Sequence, residues 1–302
     1  FQSQTDVPDL TGKVILITGG TAGVGAGTVI ELARHNPAHL VFTGRNAKSA
    51  EATIASARSA GSDVRVTFVE CDLANLASVK TAAEKILASL DRLDVLVCNA
   101  GIMAKPAALS KDGYEIHFAT NHLGDALLTL KLFPLIERTG KLPGADVRIV
   151  MITSAAWRGT PPGGIVFDKI KPTQEMAVLG RWLRYGQSKL ANMLWARDIA
   201  KRYPQILSFS LTPGVVETSL VTDLRLADKL FVYLINIGKV KTQEEGTHNM
   251  LWVIGAPRAS IKRGAYYEPV GDLSPTETKA SKDPGLRDKL WEWTEEELKP
   301  FL

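Results

Sequence analysis

Tyr185 and Lys189 stand four apart in Tyr185-Gly-Gln-Ser-Lys189, a spacing that sets two side chains on one helix face, a turn apart. A phenol ordinarily ionises at about pH 10. A neighbouring ammonium favours the phenolate, so such a tyrosine can give a proton to a carbonyl oxygen or take one from an alcohol. Many surface helices carry this pair, and alone it says little. Here it follows an apolar run that ends at Thr153-Ser154. A serine hydroxyl at a strand end can bind the oxygen of a reacting carbonyl. The competing assignment for Ser154 is a helix or turn cap.

A second cluster reads as a phosphate cradle. The apolar run 13–18 is followed by Gly19-Gly-Thr21-Ala-Gly23-Val24-Gly25. Glycines let main-chain N–H groups close on a pyrophosphate, and the next helix offers its positive end. The alternative is a tight strand–helix turn with no ligand, and the spacing is not the commoner G-x-G-x-x-G. Some twenty residues on, where a carboxylate would bind the ribose hydroxyl of NAD, the sequence has Thr43-Gly44-Arg45. A guanidinium is planar, permanently charged and bidentate, which suits a 2′-phosphate. These residues predict NADP(H), against the plainer reading of Arg45 as a solvated loop residue.

The elements that must hold these groups alternate along the chain. Apolar runs at 13–18, 39–43, 64–70, 93–98, 147–153 and 206–211 read as strands, with a late one at 265–268. Amphipathic stretches at 24–34, 47–60, 75–90, 114–137 and 185–202 read as helices, the fourth ending near Pro134. Residues 214–254 look helical throughout, and the polar tail 271–302 holds a short helix with Trp291 and Trp293. This alternation predicts an α/β fold: one doubly wound, Rossmann-type domain over residues 1–302, with a mostly parallel sheet of about seven strands and helices on both faces. Within it, 155–184 and 214–254 read as substrate-site insertions or a lid.

Composition narrows the function. The 302 residues are 45% hydrophobic and 23% charged, with a net charge of +4, which excludes collagen-like and disordered classes. No apolar run approaches the ~20 residues that span a bilayer. Basic residues are scattered among acidic ones, so no nucleic-acid stripe is present. Cys71 and Cys98 read as buried thiols of a reducing compartment, which points to the cytoplasm. The chain begins with Phe1 rather than Met, which weakens any location read from its N-terminus. His35, His39, His117, His122 and His248 share no metal-ligand spacing, so no metal is expected. Trp182, Trp195 and Trp252 read as packing. In 229–240, Leu230, Tyr233, Leu234 and Ile237 recur at helical spacing. That stretch fits a lid over an apolar substrate, a helix lying peripherally on a membrane, or plain core.

The motifs Thr18–Gly25, Asn99-Ala100-Gly101, Asn121, Ser154, Tyr185-x-x-x-Lys189 and Pro213-Gly214 occur in an order that resembles classical short-chain dehydrogenase/reductases, over roughly residues 10–270. The run from Tyr185 to Asn192 is similar to the branch of retinol dehydrogenases and protochlorophyllide reductase-like proteins. The resemblance implies that Tyr185 is the general acid/base, that Lys189 binds the nicotinamide ribose and lowers the Tyr185 pKa, and that Ser154 orients the carbonyl. It implies that Asn121 holds a water in a proton relay. It assigns cofactor contacts to Gly19, Thr21, Gly23, Val24, Gly25, Arg45, Asp72, Leu73, Asn99, Ala100 and Gly101, and at the nicotinamide end to Pro213, Gly214, Val216 and Thr218. It also allows a homodimer. Cys98 departs from the family's asparagine and is expected to point into the core.

The expected activity is NADPH-dependent reduction of a bulky, largely hydrophobic ketone or aldehyde. Trp157, Trp182, Leu220, Leu230, Phe231 and Leu234 would make the substrate region apolar, and Arg181 and Arg184 stand as a close basic pair in it. The alternatives are a non-catalytic NADP(H) sensor or scaffold on the same fold, and a dinucleotide-dependent dehydratase or epimerase.

Overall fold

The computed structural model describes residues 1–61, 63–176 and 179–302, with the side chain of Ile235 left aside. Seven strands run parallel: β1 (Val14–Ile17), β2 (His39–Gly44), β3 (Arg65–Glu70), β4 (Val95–Cys98), β5 (Arg148–Ile152), β6 (Leu207–Leu211) and β9 (Tyr266–Glu268). β10 (Asp272–Leu273) returns antiparallel to β9. The order across the sheet is β10-β9-β6-β5-β4-β1-β2-β3. The expected Rossmann-type α/β sheet is therefore present, with one antiparallel edge strand added.

Side chains alternate faces along a strand, and both faces are covered. Ile15, Ile17, Leu40, Phe42, Val95 and Val97 pack under α2 (Gly23–Leu32), α3 (Ala47–Ala60) and α10 (Gln243–Gly255). Val14, Leu16, Val41, Leu96 and Cys98 pack under α4 (Leu76–Ser89), α6 (Gly124–Gly140) and α7 (Gly180–Arg202). Two buried faces leave no place for polar alternation, which is why these strands read as unbroken apolar runs. From β1 the chain winds outward through β2 to β3, then crosses to β4 on the other side of β1. The loops after β1 and β4 part there, and the crevice they leave is where such sheets bind ligands.

Four elements depart from expectation. α6 runs through Pro134 to Gly140. A proline inside a helix costs about 3 kcal/mol, but Leu135 and Ile136 beyond it are fully buried, each worth roughly 1.5–3 kcal/mol. α7 begins at Gly180, so Tyr185 lies in its second turn rather than opening it. The stretch 214–254 is not helical throughout: β7 (Val215–Val216) pairs with β8 (Val240–Lys241). That pair closes the base of an excursion holding α8 (Ser219–Thr222) and α9 (Leu226–Ile235). The tail helix is long: α12 (Pro284–Leu298) starts on an Asp283 cap. Its Trp291 stacks on Trp195 with ring centroids 4.2 Å apart.

Candidate active site

The loop after β1 is tied to its neighbours before any ligand arrives. Gly20 N–H donates to Thr43 O at the end of β2 (2.9 Å). Thr18 Oγ1 accepts from the N–H groups of Asn99 (2.9 Å) and Ala100 (3.0 Å), and Asn99 Nδ2 donates to Thr18 O (2.8 Å). The turns after β1 and β4 thus form one unit. Gly19 has φ +71°, and a Cβ on it would lie 2.9 Å from Ala100 Cα, so a side chain is excluded there. Ala22 provides no side-chain cap for α2, which leaves first-turn amides facing the crevice. Uncapped amides at a helix N-terminus with glycines before them fit a pyrophosphate.

Around this cradle stand the other predicted cofactor residues. Thr218 packs near Gly23, where a Cβ would lie 3.4 Å from its own Cβ. Gly214 takes φ +86°, and Val216 is buried in β7 beneath α10. Asp72 accepts from Ala74 N–H (3.1 Å), and Leu73 wedges against Gly124. A Cβ on Gly44 would lie 2.8 Å from Thr21 Oγ1, which sets Arg45 beside the loop. Arg45 is exposed and has no carboxylate partner among the described residues.

The second half of the site is assembled by α7 and by a π-turn at Ala119–Leu123, between α5 (Ile116–Phe118) and α6. Thr153 Oγ1 donates to Lys189 O (2.7 Å), pinning α7 to the end of β5. Asn121 accepts from Ile102 N–H (2.7 Å), and its Nδ2 donates to Ile102 O (3.0 Å) and Ser188 Oγ (2.9 Å). Ser188 in turn donates to Tyr185 O (2.7 Å). Lys189 Nζ donates to Ile152 O (3.0 Å) and lies 5.9 Å from the Tyr185 ring centroid. A Cβ on Gly101 would approach both Asn121 Oδ1 (3.1 Å) and Lys189 Nζ (3.3 Å). Ser154, Tyr185, Lys189 and Asn121 are therefore brought together. Ser154 also serves as a cap, accepting from Ala156 N–H (3.3 Å).

The electrostatics differ from expectation in one respect. Burial pushes Tyr185 up to about 12, and the group that pulls the other way is Ser154 through a hydrogen bond, rather than Lys189. Burial lowers Lys189 to about 8, with Asp125 opposing. Desolvation dominates because the ring is enclosed by Met103, Ala104, Val221 and Val232. At neutral pH the phenol holds its proton.

Those enclosing residues were not legible in the sequence, and some expected lining lies elsewhere. Trp157 is fully buried against Tyr266. Leu230 and Leu234 point to solvent, 56% and 57% exposed. Trp182 does border the Tyr185 cluster, with Phe231 tilted against it at 5.5 Å. The two arginines are occupied. Arg181 pairs with Asp228 of α9 (2.6 Å), which also accepts from Trp182 Nε1 (3.3 Å). Arg184 sits 3.3 Å from the buried Glu115, and Glu115 accepts from His117 Nδ1 (2.7 Å) beside the Tyr185 ring. Partners 47 and 69 positions away in sequence leave no local pattern to read.

Residues 13–168 match the family described as short chain dehydrogenase. The chain is 34% identical over 305 residues to the short-chain dehydrogenase/reductase drtF of Aspergillus calidoustus, covering 97% of this chain and 96% of that one.

The chain belongs to the short-chain dehydrogenase/reductase family.

Within the family, this short-chain dehydrogenase/reductase is 31% identical to human retinol dehydrogenase 14, covering 94% and 85% of the two chains, which sets it in the retinol dehydrogenase-like branch. The crystal structure of a protein from Mycobacterium paratuberculosis superposes with a TM-score of 0.74 at 26% identity, over 99% of this chain and 97% of that one. Family membership makes the protein an oxidoreductase of the dehydrogenase/reductase type that uses a nicotinamide dinucleotide.

Proposed function

We propose that the protein is an NADPH-dependent reductase of a bulky, largely hydrophobic ketone or aldehyde, with Tyr185 as general acid. The observation that carries this reading is the assembly of Ser154, Tyr185, Lys189 and Asn121 at the sheet's switch point, beneath an apolar cover. The glycine loop, the amides of α2 and the Asn99-Ala100-Gly101 turn hold the dinucleotide, and Arg45 with Thr21 receives its 2′-phosphate. When bound, the nicotinamide supplies the hydride. Ser154 and Tyr185 hold the carbonyl oxygen, and Tyr185 delivers its proton there as charge develops. Lys189, whose ammonium burial weakens to about 8, stands behind the ring to pass a proton onward with Asn121. The reverse oxidation uses the same groups.

The substrate class is supported by the cover itself. Met103, Val221 and Val232 present hydrocarbon, and the two arginines that would attract an anion are already paired within the protein. The test is kcat/KM with NADPH and NADH for matched apolar and anionic carbonyl compounds. The expected result is turnover with NADPH and preference for the apolar series. A preference for small anions, lost on replacing Arg181 or Arg184, would overturn the substrate class. Absence of turnover with either cofactor would favour the sensor reading.

A further inference from the structure

α9 has two unlike faces. Inward, Val232 packs beside Tyr185, and Asp228 is held by Arg181 and Arg225. Outward, Leu226, Leu230 and Leu234 recur one turn apart and are 82%, 56% and 57% exposed. Ile237, just past the helix end, is 75% exposed, and Phe231 borders the row. Isolated exposed leucines are unremarkable. Four large apolar side chains in a row on one exposed ridge mark a surface that something covers.

The charges around the ridge narrow what that is. Lys229 lies on its flank and Lys239 at its end, and neither has a carboxylate partner among the described residues. Arg225 is committed to Asp228. On the acidic side, Asp223 is exposed, and Glu217 accepts from Tyr233 Oη (3.1 Å). No charge interrupts the leucine row itself. An apolar ridge with lysines at its margin matches a bilayer surface, where leucines enter the acyl boundary and ammonium groups reach up to phosphates.

We propose that the outward face of α9 docks on a lipid surface bearing anionic headgroups. The docked ridge and the phenol of Tyr185 are then separated by a single helix.

The test is co-sedimentation of the full chain with vesicles of pure phosphatidylcholine and of phosphatidylcholine with phosphatidylserine. Binding to the anionic vesicles is expected, with salt weakening it. The triple variant Leu226→Ser, Leu230→Ser, Leu234→Ser should bind at least about tenfold more weakly. Lys229→Glu with Lys239→Glu should remove the preference for anionic vesicles. Circular dichroism and thermal melting show whether each variant keeps its fold, and the lysine pair tests the proposal even if the leucine triple does not fold. Failure of the wild-type chain to bind anionic vesicles would overturn the proposal. So would binding that survives both sets of replacements in folded variants, or light scattering that shows a dimer which the leucine replacements dissolve.

Discussion

Tyr185 is asked to be an acid, and its enclosure suits that task. With its phenol pushed up to about 12, the proton stays in place across the physiological range. Reduction should therefore hold a level rate through neutral pH and decline only when the phenol ionises. Oxidation, which needs the phenolate, should rise as pH rises. Tyr185→Phe should lower kcat by about 10²–10⁴ while leaving NADPH affinity nearly unchanged, because the ring acts on the carbonyl and not on the adenine end. Wild-type kcat in the Phe variant, on a substrate the parent turns over, would remove Tyr185 from the acid role. At the other end of the crevice, Arg45→Asp exchanges a phosphate-pairing charge for a repulsive one. A charge-assisted contact is worth about 1.5–3 kcal/mol, so the NADPH/NADH ratio of kcat/KM should fall at least tenfold. An unchanged ratio would return Arg45 to the solvent. Residue types and spacings made Tyr185, Lys189, Ser154 and Arg45 legible as candidates. The Tyr185 pKa was not legible, because it is set by Val221 and Val232, which approach only when the chain folds back.

The excursion between β7 and β8 is the element most exposed to mutation, since a short strand pair closes its base and one carboxylate ties it to α7. Asp228 holds Arg181 at 2.6 Å and Trp182 at 3.3 Å, two turns or less before Tyr185. Asp228→Ala should loosen that attachment and raise KM for a bulky apolar carbonyl by about tenfold, as expected from losing one or two charge-assisted bonds of 1.5–3 kcal/mol partly replaced by water. NADPH affinity should stay as it was. Equal KM in parent and variant would mean that Val221 and Val232 alone keep the cover closed. The sequence conveyed the elements unevenly for reasons visible here. β1, β4 and β5 announced themselves because strands buried on both faces are uniformly apolar. The Pro134 breaker signal was outweighed by the burial of Leu135 and Ile136. The two-residue strands β7 and β8 are too short to show a period, and the apolar spacing of α9 between them concealed both.

In the whole molecule, two buried ionisable groups lie near the switch point, and together they shape stability against pH. Asp125, at the start of α6, is entirely enclosed. Burial raises its carboxyl from the usual 3.8 to about 7, with the Thr18 hydroxyl and the Lys189 ammonium acting the other way. A folded-state pKa above the unfolded one gives stability that is present below about pH 4 and lost as pH rises to 7. Lys189 is lowered from 10.5 to about 8, so its contribution is full above 10.5 and lost as pH falls through 8. Both costs overlap near pH 7–8, where both charges are buried. The sequence showed Asp125 only as an acidic residue on a helix. Its burial follows from α6 crossing behind β1 and β4, which no local pattern encodes. Asp125→Asn keeps the shape and removes the charge. Relative to wild type, it should gain stability between pH 5 and pH 8. Two pH units below the raised pKa correspond to about 3 kcal/mol at ~1.4 kcal/mol per unit, and the lost attraction to Lys189 takes part of that back. A net gain of about 2 kcal/mol is expected, a shift of a few degrees in Tm for a chain of this length. Melting curves of both proteins at the two pH values measure it. If the Tm difference between variant and wild type is the same at pH 5 and pH 8, Asp125 does not change its charge in that window, and the enclosure of its carboxyl is looser than the fold implies.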